Sequence, residues 1–272
     1  MILEAFLLSL IAGLATGIGG ILVVSLGKIS DRFISASMGF ASGVMLLVSF
    51  LNLFVEALDL TSYLNVSLAF ATGSIIMIII DSLLPHFELG RREDGLIKSK
   101  VFVDETDHRR RRVRKREHGV IKPELMKSAI LILIGITLHN IPEGVIVSAG
   151  YSHMPQLGVL IAVAVFFHNV PEGIATAVPL LSAGSTKREV VLATVVSGLA
   201  EPFGALLGGT LLIGASNEMI GLALAFAAGV MTYITADELI PIAHEYGHKH
   251  AVSIGILLGI IFMMIIDNFL IR

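Results

Sequence analysis

The chain has 272 residues, of which 55% are apolar and only 15% charged, with a formal net charge of −3. Soluble domains carry about a quarter charged residues, so this composition excludes an ordinary water-soluble fold. Cysteine is absent, which excludes disulfides and thiolate metal ligands.

Apolar segments recur along the whole chain, several of them long enough for a hydrocarbon core, which takes ~20 helical residues. Spans are read at 2–26, 33–58, 66–87, 125–149, 157–181, 190–213, 219–243 and 251–271, giving an all-α integral membrane protein with eight helices. The opening Met1-Ile2-Leu3-Glu4 lacks the basic region of a signal peptide, so span 1 is expected to stay in the protein. Lys28 and Arg32 follow span 1, Lys187 and Arg188 follow span 5, Lys249 follows span 7, and 13 basic residues lie between Arg91 and Lys127 after span 3. All but Arg272 of the 19 basic residues therefore share one side. The positive-inside rule makes that side cytoplasmic and puts both termini outside a multi-pass cell-membrane protein.

In span 1, Gly13 and Gly17 form a small-xxx-small pair, as Gly204 and Gly208 do in span 6; close helix packing explains both. Glu56 and Asp267 lie near the outer ends of spans 2 and 8, where boundary or packing roles are expected. Span 3 runs into Asp81-Ser82-Leu83-Leu84-Pro85-His86. The one long polar stretch, 88–124, contains Arg109-Arg110-Arg111-Arg112-Val113-Arg114-Lys115-Arg116 and is read as a basic cytoplasmic loop that enforces topology. Contact with anionic lipid headgroups is the sharper reading. Nucleic acid is not an expected partner, because no aromatic residues interleave with the basic run. Outside residues 88–127 the chain holds 6 basic and 14 acidic residues, a net of −8 that suits a cation path.

Spans 4 and 5 carry one word twice. His139-Asn140-Ile141-Pro142-Glu143-Gly144 is matched by His168-Asn169-Val170-Pro171-Glu172-Gly173. Both words sit mid-span, where an ionised carboxylate costs ~2.5–3.5 kcal/mol on insertion scales. With His139 at zero, Asn140 lies ~100° and Glu143 ~40° round the helix. The carboxylate can thus share one ion with the imidazole and reach a second beside the amide. Two such arcs facing each other hold two cations, bridged by Glu143 and Glu172. The glycine after each glutamate leaves room for a neighbouring helix. Pro142 and Pro171 remove the bonds to the carbonyls of Leu138 and Phe167, so interrupted helices are expected at membrane depth. Span 6 adds Glu201 next to Pro202. Three carboxylates, two imidazoles and two amides suit Zn, Fe(II), Mn, Co or Ni better than Cu(I) or Mg.

His153, after span 4, is read as a solvated residue of an outer loop. In spans 7 and 8 the chain repeats itself: Phe40–Met45 returns as Phe226–Met231 and Gly73–Asp81 as Gly259–Asp267, both offset by 186 residues. With the expected topology these segments run in opposite directions, an inverted repeat with the site where the halves meet.

The paired HNxPEG words in an eight-span chain resemble the ZIP (Zrt/Irt-like protein) family of metal transporters, and histidine in both words resembles its bacterial, broad-specificity branch. The resemblance implies a 3+2+3 helix arrangement and a binuclear centre. One site would use His139, Glu143, His168 and Glu172; the other would use Asn140, Asn169, Glu201 and the bridging glutamates. It further implies an inward release route along Asp81, His86, Glu238, His244 and His248, and transport by a bundle holding spans 4 and 5 that slides against the repeated spans. Two departures stand out. Many relatives have Asp where this chain has Asn169, which lowers the charge of the second site. The loop is arginine-rich rather than histidine-rich, with only His108 and His118, so loop-based metal sensing is not expected.

The expected function is transport of divalent metals, zinc or iron foremost and also Mn, Co and Cd, into the cytoplasm, with the metals as substrate and no cofactor. A homodimer is compatible with this reading. A metal-selective channel using the same site is the nearest alternative. An intramembrane metallohydrolase fits less well, because the order here is H-x-x-x-E rather than the H-E-x-x-H of zincins.

Overall fold

A computed structural model describes residues 1–27, 29–83 and 123–270; the basic loop up to residue 122 and His86 lie outside the described residues, and the last two loop positions, 123 and 124, open a helix. The helices are α1 (Ile2–Leu26), α2 (Asp31–Leu47), α3 (Val55–Leu60), α4 (Tyr63–Leu83), α5 (Pro123–His153), α6 (Pro155–Ser182), α7 (Lys187–Gly198), α8 (Ala200–Leu211), α9 (Asn217–Ile234), α10 (Ile240–Glu245) and α11 (Lys249–Leu270). A π-helical segment, Val48–Phe54, joins α2 to α3, and another, Thr235–Leu239, joins α9 to α10. Among the described residues, eight stretches are thus long and apolar enough to cross a membrane, as the hydropathy pattern requires.

Short polar residues start the helices. Ser30 and Ser216 accept from the backbone N–H groups of Phe33 and Met219. Thr186 and Glu189 form a reciprocal capping box that opens α7. Along α1, Leu3, Leu7, Ile11, Leu14, Ile18 and Ile21 form an exposed stripe at helical spacing, an arrangement suited to lipid. Of the most apolar stretch of α6, 72% is buried, against 17% in α4 and 22% in α11, so α6 is central and the other two peripheral.

Contacts divide the helices into two groups. The helices α1, α5, α6, α7 and α8 pack together; α2 pairs with α11, and α4 with α9. Spans 1 and 6 therefore join spans 4 and 5 in one bundle. The 186-residue offset reappears in the packing. A Cβ on Gly73 would strike the Phe226 carbonyl, and one on Gly259 the Phe40 carbonyl. Gly43 meets Ile256 in the same way, and Gly229 meets Phe70. Each contact becomes its counterpart when both residues are moved by the offset. So do the two hydroxyl bonds at the π segments, Ser49 Oγ to the Met45 carbonyl (2.8 Å) and Thr235 Oγ1 to the Met231 carbonyl (2.7 Å).

The expected interruptions at Pro142 and Pro171 do not occur: α5 and α6 run through them as continuous helices. One missing N–H does not break a helix that is packed on several sides. Span 6 breaks instead, at Leu199 between α7 and α8, ahead of Pro202.

Candidate metal centre

The two words face each other in the middle of the bundle. Among the described residues, one group of four side chains has metal-ligand spacing: His139, Glu143, His168 and Glu172, each with a ligand atom within 4.8 Å of the others. His139 Nε2 lies 3.3 Å from Glu143 Oε1 and 3.2 Å from Glu172 Oε1. His168 Nε2 lies 3.0 Å and 3.1 Å from the same two oxygens. The result is a ring of alternating nitrogen and oxygen. Its edges approach the ~3.3 Å edge of a tetrahedron with metal bonds of about 2.0–2.1 Å. The imidazole rings are 5.9 Å apart and nearly parallel, at 22°, and both bring Nε2 to the same two carboxylate oxygens.

All seven candidate ligands are buried, none more than 3% exposed. Of the 14 buried side-chain polar atoms that lack a hydrogen-bond partner among the described residues, 10 belong to these seven residues. Such groups are expensive in an apolar interior. A divalent cation shared between the Nε2 atoms and the carboxylates would satisfy these acceptors and neutralise the carboxylates.

The amides are already oriented. Asn140 Nδ2 donates to the Ser197 carbonyl at 3.0 Å, and Asn169 Nδ2 donates to the Ala12 carbonyl at 2.9 Å and to Glu201 Oε2 at 2.7 Å. Each Oδ1 is left without a partner, as is Glu201 Oε1. With both nitrogens committed to donation, only oxygens remain to face an ion. Glu201 is not part of the four-residue group; it lies beside it, held by Asn169. The span 6 break helps to shape this half, because Pro202 has no N–H for the Gly198 carbonyl. The adjoining Ser197 carbonyl takes the Asn140 amide, and Ser197 Oγ accepts from Thr137 Oγ1 at 2.9 Å.

The glycine of each word has the expected use. A Cβ on Gly144 would strike the Glu201 carbonyl, and one on Gly173 the Thr16 carbonyl, so α5 meets α8, and α6 meets α1, backbone to backbone. The carbonyl acceptors at Ala12 and Ser197 have no sequence signature, since any residue supplies a carbonyl.

The exit residues are not brought together. The Asp81 side chain and His86 lie outside the description; His244 and His248 are exposed and belong to no group with metal-ligand spacing among the described residues. Glu238 differs from them. It sits in the second π segment with its side chain 30% exposed, and its Oε2 is 3.9 Å from His139 Nδ1, on the opposite edge of the ring from the centre. At the other end of the molecule, Asn52 Nδ2 donates to Asp267 Oδ1 at 2.9 Å, a packing role like the one expected for Asp267. His153 is not simply solvated. It ends α5 and pairs with Glu56 at 3.0 Å, so neither residue serves only as an interfacial boundary.

A family model described as ZIP Zinc transporter matches residues 3–267. The chain is 36% identical over 273 residues to a zinc transporter ZupT of Chlorobaculum parvum, covering 97% of this chain and 96% of that protein. It is 37% identical over 269 residues to the zinc transporter ZupT of Nitratidesulfovibrio vulgaris (95% and 94% covered). With that of Corynebacterium glutamicum it shares 39% over 272 residues (97% of each).

Proposed function

The chain belongs to the ZIP family of membrane metal transporters, and from that premise we propose that it carries zinc or iron(II), and also manganese, cobalt and cadmium, into the cytoplasm. The ion passes through a paired site by alternating access. The observation that carries this reading is the buried ring of two imidazole nitrogens and two carboxylate oxygens with edges of 3.0–3.3 Å. Mixed imidazole and carboxylate donors favour these borderline ions over magnesium.

The four-residue ring is the principal site, and the amide half, Asn140, Asn169 and Glu201, is the weaker one. The bundle of α1, α5, α6, α7 and α8 moves as the carrier against the repeated spans, read as an inverted repeat about the centre. Glu238 takes the ion next on the inward side, because its Oε2 lies 3.9 Å from Nδ1 of His139, whose Nε2 belongs to the centre. The basic side is cytoplasmic and both termini are outside.

The test is zinc uptake into proteoliposomes with Fe(II), Mn, Co and Cd as competitors. A carrier saturates and slows steeply on cooling; unsaturable flux with weak temperature dependence would instead identify a channel. The inequality of the two halves has its own test. Glu201→Ala soaked in cadmium should still hold one ion between His139 and His168, because that ring keeps all four of its donors. An ion found beside Asn140 and Asn169 instead would reverse the assignment.

A further inference from the structure

Two ionisable side chains outside the metal centre meet at the rim that also carries Met1. His153 Nε2 lies 3.0 Å from Glu56 Oε2, with side-chain exposures of 20% and 23%. Beside them Ser152 Oγ is 3.3 Å from Met1 Sδ. Glu56 belongs to α3, which packs on α4 and α9; His153 closes α5, which packs chiefly on α6 and α8. The two elements are hardly packed on each other among the described residues. Although α5 also packs on α9, this side-chain contact joins α3 to the end of α5 at one rim, and any movement that parts the two there must break it.

We propose that Glu56 and His153 form a latch that holds the outer mouth shut in this conformation and opens to admit metal. The proposal rests on the alternating-access reading above. The pair does not bind the transported ion; it sets how often the rim is open. A partly exposed polar contact of this kind is weak, as a latch that must open in every cycle has to be.

The chain has no cysteine, so introduced thiols are the only ones present. Glu56→Cys/His153→Cys is reconstituted, and zinc uptake is measured before and after bridging with a short bis-methanethiosulfonate and again after reduction. Mass spectrometry gives the bridged fraction. Uptake should fall in proportion to that fraction and return on reduction. Bridged protein that keeps half or more of its uptake would overturn the latch. So would a pair that resists bridging although each single cysteine is labelled. Wild type and unbridged variant both failing to transport would overturn the transport reading itself, and the latch with it. The single variants Glu56→Gln and His153→Gln, each folded, provide the second measurement. Without the latch the open state is more populated, so the apparent KM for external zinc should fall about two- to fivefold. The double variant should show no further change. An unaltered KM in both singles is the result of a static structural contact and rejects the proposal.

Discussion

Zinc uptake by Glu143→Gln and by Glu172→Gln is expected to fall at least about tenfold, while both proteins insert and fold normally. Each Oε1 lies within 3.0–3.3 Å of both imidazole Nε2 atoms, so each carboxylate contributes two of the four edges of the ring. Glutamine keeps the volume and the hydrogen-bonding capacity but removes a full negative charge. In a buried site, removing one partner of a charge pair costs about 3–5 kcal/mol, which corresponds to a hundredfold or more in binding. Helix packing, by contrast, tolerates the exchange. His139→Ala should weaken binding more mildly, because it removes a neutral donor. The measurement is uptake per folded protein in matched vesicles, with cadmium binding to the detergent-solubilised protein as an independent readout. Near-normal uptake and binding in both glutamine variants would reject the shared-carboxylate centre and most of the functional reading.

The second large effect is on assembly. Gly144→Ala should lower the melting temperature of the solubilised protein by ~5 °C or more, because overpacking a tight contact costs about 1–3 kcal/mol. The added Cβ would strike the Glu201 carbonyl, and a backbone atom cannot rotate away as a side chain can. Relief requires α5 and α8 to separate at the metal centre, so cadmium affinity should fall as well. Gly135 supplies the control on the same helix: a Cβ there meets nothing within 4 Å. Alanine is the better helix former by about 1 kcal/mol, so Gly135→Ala should be neutral or stabilising. Equal melting temperatures for the two variants would show that the close approach at Gly144 is not required.

Much of this molecule was legible in the sequence because its strongest signals are local. Eight apolar stretches follow from the cost of exposing backbone polar groups to lipid, and the doubled HNxPEG word places imidazole, amide and carboxylate on one arc of a single helix. The convergence of spans 4 and 5 could be read from the repetition alone, because two costly polar arcs at membrane depth need each other. The glycines after Glu143 and Glu172 were informative for a similar reason, since only a missing side chain permits the backbone approach they make.

What only the tertiary structure decided are distances across helices. That Asn169 holds Glu201 and the Ala12 carbonyl, that Glu238 stands 3.9 Å from His139, and that His153 reaches Glu56 all depend on how each helix is rotated and crossed. In a water-soluble protein an apolar stripe reveals that rotation. Here lipid and interior are both apolar, so a helix such as α1 carries leucine and isoleucine on the face it exposes while burying alanine, glycine, serine and threonine on the other. The two π segments were invisible for a related reason: no proline or glycine lies within them to mark the change of helix. The sequence alone therefore determined the number of spans and the chemistry of the centre. The tertiary structure decided which neighbours orient that centre and which side chains meet at the rim, because those contacts join residues far apart in the chain on helices whose facing cannot be read from hydropathy.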